Sequence, residues 1–227
     1  MNNGRKLLLL GILVLLPVLA FLFLQSFGRN AYKLRTYLPE SGAAERVGAP
    51  PVSAAAGRAI DTVYHRIDDA GALTTAGGQP FSVARELRDR LVVLGFSQKA
   101  SAGDPADQTL VRGMARVQER FRGQPLVKLL VVAPAPGTGL AALAERSGAI
   151  SGKWTFASAE SAVLAHLRTE LRDSVGVANP TDPSRLWLLD RTRHLRGIYD
   201  PTDPREIDRL LTEVDVLLKI EQNPARR

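Results

Sequence analysis

The 227-residue chain contains no cysteine. Disulfide exchange, thiolate metal ligation and sulfur nucleophiles are therefore closed to it. Any chemistry must come from oxygen and nitrogen. Its three histidines are His65, His166 and His194, and none has a second ligand at metal spacing. His65 reads as a hydrogen-bonded surface or edge residue, His166 as a solvent-facing residue in mid-helix and His194 as a solvated turn residue. Asp104 and Asp107 share one loop, and Asp182 is expected to face it. Three carboxylates there would suit a hard cation such as calcium. Turn formation and helix capping are the simpler roles for those aspartates. Ser97, Ser101 and Ser158 have no histidine base at a suggestive position, so nothing supports a hydrolytic triad. Gly77-Gly78 reads as a hairpin turn and lacks the setting of a phosphate loop. Arg191, Arg193 and Arg196 form a basic cluster flanked by Asp190 and Asp200, which reads as a solvated face of mixed charge. Of the two methionines, Met1 stands at the chain start and Met114 lies on an apolar helix stripe, a core role. No catalytic residue, cofactor-binding residue, cofactor or metal ligand is assigned.

The elements that would position these residues are legible from hydropathy. Four short apolar runs read as strands: 91–96, 127–133, 185–189 and 195–199. A turn at 190–193 joins the last two as an antiparallel hairpin. The spacing of Leu110, Met114, Val117 and Phe121 predicts a helix over 109–121. A second helix is expected over 138–146, capped by Thr138 and ended before Gly148. A third is expected over 158–171, with Val163, Leu164, Leu167 and Leu171 on its stripe. The last begins at Asp203-Pro204, with Glu206 completing a capping box. Its buried face is Ile207, Leu210, Leu211, Val214, Leu217 and Leu218. With a short strand before the third helix, the order is strand, helix, strand, helix, strand, helix, strand, strand, helix. That is the order of an α/β thioredoxin-like three-layer sandwich with a helix inserted before the hairpin.

Ahead of this domain, residues 7–24 form an uncharged run of eighteen residues. With Phe27 the segment 7–27 approaches the about 20 residues that span a bilayer core. It is longer than the apolar part of a cleaved signal and lacks a small-residue cleavage site. An uncleaved N-terminal transmembrane helix is expected, so the fold class includes one. Arg5 and Lys6 precede the span, while Arg29, Lys33 and Arg35 follow it, so charge alone gives no orientation. The expected organisation is an anchor (1–28), a juxtamembrane segment and flexible linker (29–59), a domain (60–222) and a basic tail (223–227). Residues 39–59, rich in Pro, Gly, Ala and Ser, form the linker.

The net charge of +7 does not indicate nucleic acid. Residues 1–59 with Arg226 and Arg227 hold nine Lys/Arg and two Asp/Glu, leaving 21 of each sign for 60–225. A duplex-binding domain would gather positive charge on itself.

Four stretches carry a resemblance. They are Asp61-Thr62-Val63-Tyr64-His65 leading into Gly77-Gly78-Gln79-Pro80-Phe81-Ser82; Met114 through Phe121; Trp154-Thr155-Phe156; and Leu189-Asp190 through Arg196-Gly197-Ile198-Tyr199-Asp200 with the final helix. In this order and spacing, over about residues 60–220, the chain resembles the Sco/SenC family of membrane-anchored, thioredoxin-fold proteins associated with copper delivery to cytochrome oxidase.

That resemblance implies two cysteines four apart in the loop after the first core strand, and a metal-ligating histidine before the hairpin. Counting back from Met114 puts the cysteine positions near Gly103 and Asp107. Counting back from Leu189-Asp190 puts the histidine position at Asp182 or a neighbour. None of these residues is of the ligating type. Copper(I) needs thiolate, thioether or imidazole, so the family's ligand set is missing.

The expectation is a non-redox, Sco-like accessory protein that is not an enzyme. It would be single-pass in a bacterial-type inner membrane with its domain on the extracytoplasmic side. Its partners would be the membrane, through 7–27, and a protein such as an oxidase subunit or assembly factor, with no nucleic acid. The rival is a metal carrier or enzyme with a rebuilt site joining Asp104 or Asp107 to Asp182 and His65. A third reading, a purely structural anchor, requires a polar surface with no exposed apolar patch.

Overall fold

A seven-stranded mixed sheet carries helices on both faces, in the order β2-β1-β5-β4-β3-β6-β7. The structure is a computed structural model, and it describes residues 15–19, 67, 71–172 and 185–222. Two units divide the chain, Met1–Lys33 and Leu34–Arg227. Of the first, residues 15–19 are helical and exposed. Among the described residues no helix is long and apolar enough to cross a membrane. The rest of the expected 7–27 anchor lies outside the described residues, as does the linker.

In the second unit the strands are β1 (Leu73–Thr75), β2 (Pro80–Phe81), β3 (Leu91–Phe96), β4 (Val127–Pro134), β5 (Trp154–Ala159), β6 (Leu186–Leu189) and β7 (Leu195–Tyr199). The helices are α1 (Val83–Glu86), α2 (Pro105–Arg120), α3 (Leu140–Ser147), α4 (Ser161–Arg172) and α5 (Pro204–Gln222). β3, β4 and β5 pair in parallel, with Leu91 beside Val127 and Leu129 beside Trp154. β6 joins β3 antiparallel and β7 closes the edge, with an irregularity at Leu188/Leu189. The expected hairpin, the parallel units and the three layers are all present.

Strands buried on both faces read as continuous apolar runs. β3 is buried at all six positions. Its odd-numbered residues Leu91 and Val93 join Leu129, Val131, Trp154 and Phe156 under α2, α3 and α5. Its even-numbered residues Val92, Leu94 and Phe96 join Leu130, Val132 and Ala157 under α4, with Val83 and Leu87. One sheet thus divides two apolar clusters.

The structure corrects several boundaries. α2 starts at Pro105, four residues before the expected 109, because its first turn is polar and hides from an apolar period. Asp104 caps it, accepting from Ala106 N at 3.0 Å and Asp107 N at 3.3 Å. The Asp104-Pro105 pair is the same start signal as Asp203-Pro204. Thr138 is not a cap: α3 follows Gly139, which has no side-chain cap, and Leu140 N bonds Gly137 O at 2.9 Å. Ser158 is in β5 and not in a helix, since Ala133 and Pro134 extend β4 and keep β5 paired through Ala159. Asp203 caps the last helix, but the expected capping box does not form. Asp203 accepts from Arg205 N at 2.9 Å, whereas the Glu206 carboxylate turns to Arg209 at 2.5 Å. The edge hairpin β1–β2 was marked in the sequence only by its Gly77-Gly78 turn, where Gly78 takes φ 78°. Strands of three and two residues carry no readable period.

Candidate functional site

In parallel sheets, ligands gather beyond the carboxyl ends of the strands. Here that edge carries the loop 97–104 after β3, the turn 135–139 after β4 and the end of β5. The loop is held from within. Ser97 is fully buried; its N–H bonds Val132 O at 2.9 Å and its Oγ accepts from Ala100 N at 2.8 Å. Ala100 is buried in the left-handed region at φ 52°, a conformation that a non-glycine residue keeps only when its surroundings impose it.

Asp107 imposes much of it. From the first turn of α2 its carboxylate reaches back into the loop. Oδ1 accepts from Gln98 N and Oδ2 from Ser101 N, both at 2.9 Å, and the residue is 1% exposed. Asp104 divides its oxygens between the cap and Lys99 Nζ at 2.7 Å. The Lys99 hydrogen bond comes first among the causes that hold the Asp104 carboxyl below its ordinary range; burial opposes it and the backbone N–H groups assist it. The Lys99 side chain is 69% exposed, so water screens much of that pair.

The loop also leans on its neighbour. A Cβ on Gly139 would stand 2.0 Å from the Ala100 carbonyl oxygen. Only a glycine lets these two backbones approach so closely. The loops after β3 and β4 therefore close on one another at this contact.

Sequence reasoning placed Asp104 and Asp107 in one loop, and the structure brings them together as helix and loop caps. Their roles are the turn and cap roles that aspartate favours. Asp182, His65 and Met1 lie outside the described residues. Met114 is fully buried in the core. Ser101 Oγ accepts from Gly103 N at 3.3 Å, and Ser158 Oγ donates to Thr74 O at 3.3 Å. His166 is exposed and 3.5 Å from Glu170. Among the described residues no group of three His, Cys, Asp or Glu could hold a metal ion.

Two expectations change at the β6–β7 turn. His194 is half-buried, its Nδ1 2.8 Å from Thr192 Oγ1. Arg196 is no solvated face residue, because its Nε donates at 2.8 Å to the buried Asp190. Asp190 also accepts from Thr192 N and His194 N at 2.8 and 2.9 Å. Burial alone would raise this carboxyl, but the hydrogen bond from Thr192 and the charge of Arg196 outweigh it and hold it low. Sequence reading missed this staple because a mixed-charge turn looks the same whether or not it folds inward.

Neither a protein-family model nor a curated protein sequence matches the chain. Solved structures do. A SCO1/SenC family lipoprotein from Bacillus anthracis str. Ames superposes with a TM-score of 0.53 at 15% identity, over 67% of this chain and 95% of that one. BsSco, a member of the Sco family of cytochrome c oxidase assembly proteins, does so at 0.53 and 12%, over 67% and 93%. A candidate protein disulfide isomerase from Bacteroides thetaiotaomicron gives 0.52 and 15%, over 72% and 94%. The chain shares the thioredoxin-like fold of these proteins and spans nearly their whole length.

Proposed function

We propose that this chain is a membrane-tethered, Sco/SenC-like accessory protein that acts by binding and not by redox chemistry. The observation that carries the reading is the carboxyl-edge loop 97–104. It sits on a fold used by Sco proteins and a candidate disulfide isomerase, yet the chain has no sulfur nucleophile. Its carboxylates are spent on its own backbone and on Lys99. Function lives in sites and not in folds, and this site is built to hold a shape.

The partner is an oxidase subunit, an assembly factor or a cysteine-bearing relative, met in a bacterial-type inner membrane. Residues 7–27 anchor the chain in a single pass, residues 29–59 form the tether, and the domain of 60–222 stands on the extracytoplasmic side. A tether raises the local concentration of the domain near membrane partners. The test is a membrane pull-down with the full chain as bait, run beside a copper(I) titration and a disulfide-reduction assay. Recovery of oxidase or assembly components without copper retention supports the proposal. Stoichiometric, chelator-resistant copper(I), or turnover of a disulfide, ends it.

One observation favours a second reading. Among the described residues, the exposed large apolar side chains are Leu15, Leu16, Val18 and Leu19. The described surface of the domain carries none of them, which fits a structural anchor, or a partner met through polar contacts. An empty pull-down would favour the anchor. The rebuilt metal or enzyme site has less support, because Asp104 and Asp107 are already engaged internally.

A further inference from the structure

A cationic cluster lies at the end of the sheet opposite the loop 97–104. The parallel register sets the amino ends of β3, β4 and β5 side by side, and each brings one cation. Arg90 precedes β3, Lys128 is the second residue of β4 and Lys153 precedes β5. Arg90 Nη1 donates to Pro125 O at 3.2 Å. Lys128 Nζ donates to Gly152 O. Lys153 Nζ donates to Phe121 O and, at 2.5 Å, to Gln124 O.

None of the three forms an ion pair with a carboxylate among the described residues. Glu119, at the end of α2, is taken by Arg122 at 2.6 Å. Carbonyl dipoles orient a cation but do not cancel its charge. The groups also repel one another. After burial, the charge of Arg90 is the next cause that lowers the Lys128 amine, and the charge of Lys128 the next that lowers Lys153 to about 8. An ammonium has three donors and a guanidinium five, so all three groups keep N–H donors to spare. Arg90 and Lys128 are half-buried and within reach of a ligand, while Lys153 is 6% exposed.

We propose that the amino ends of β3, β4 and β5 form an anion site, in which Arg90 and Lys128, backed by Lys153, bind a phosphate group. A phosphate offers several charged acceptor oxygens to donors on neighbouring strands. It would supply a counter-charge to cations that, among the described residues, are otherwise held only by carbonyl oxygens. The group is either free inorganic phosphate or the phosphate of a lipid headgroup.

The test uses the full chain in phosphatidylcholine nanodiscs. In one arm, sodium phosphate replaces sodium chloride at constant ionic strength and the melting of the domain is followed by the fluorescence of Trp154 and Trp187, both buried. In the other arm, capture by phosphatidylglycerol vesicles is compared with capture by phosphatidylcholine vesicles. Binding to the native state raises the melting temperature with ligand concentration. Lys128→Gln should weaken the response at least tenfold, and Lys128→Arg should retain it. Protection by phosphate with that variant pattern assigns a free anion. Capture by phosphatidylglycerol with the same pattern, without phosphate protection, assigns a lipid headgroup. No response in either arm, or a response that Lys128→Gln leaves intact, overturns the site.

Discussion

Asp107 does at residue scale what the sequence could only suggest. Its carboxylate closes the loop 97–101 through two backbone N–H groups. Removing it leaves two part-buried N–H donors without that acceptor. Asp107→Ala should lower stability by about 2–3 kcal/mol, the range for losing a buried, charged hydrogen-bond acceptor, read by urea denaturation. Asp107→Asn keeps one acceptor oxygen and should cost less. An unchanged midpoint for the alanine variant would mean that the loop does not depend on this side chain. From sequence, Asp107 is one of two carboxylates in a loop, with a turn or cap as the simpler role and a hard cation as the alternative. Only the direction of its side chain, into the protein's own backbone, separates the two.

At the scale of elements, two loops and one strand entry give opposed expectations. The contact between the loops after β3 and β4 is backbone on backbone, at Ala100 and Gly139. Gly139→Ala should therefore cost about 1–3 kcal/mol, the usual price of forcing atoms into a packed space, and should loosen hydrogen-exchange protection around residue 100. Its neighbour behaves differently. Thr138 caps nothing, so Thr138→Ala should stay within about 0.5 kcal/mol; a loss of 1 kcal/mol or more would restore it as the cap.

Lys153 enters β5 with its amine drawn down to about 8, by burial first and the charge of Lys128 second. Its folded pKa lies below the unfolded value of about 10.4. Between these values the unfolded chain holds a proton that the folded chain has released. Stability from this group is thus full above the unfolded pKa and is lost as pH falls through about 8. Wild type should gain stability relative to Lys153→Met as pH rises from about 8 to about 10, measured by denaturation of both proteins at each pH. Parallel pH profiles would contradict this.

For the whole molecule, the proposal places a tethered domain beside a membrane. The full chain should stay with membranes through an alkaline carbonate wash, and deletion of residues 7–24 should release it to the soluble fraction. Release of the intact chain by the wash would remove the anchor from the proposal. Charge belongs to this scale as well. The excess lies outside residues 60–225, which are balanced, so the phosphate site proposed at the amino edge is a matter of local placement.

Composition and period by themselves determined much of this protein. The absence of cysteine ruled out thiol chemistry at every position, because no packing can supply a missing atom. The apolar runs of β3, β4, β6 and β7 and the stripes of α2, α4 and α5 were legible because burial imposes a period on local sequence. Tertiary structure alone decided the rest: that Asp104 and Asp107 serve as caps, that Asp190 staples a turn, that Gly139 admits Ala100, and that Arg90, Lys128 and Lys153 share one end of the sheet. Each of these depends on atoms brought together from separate elements, and a local pattern carries no record of what lies across a sheet.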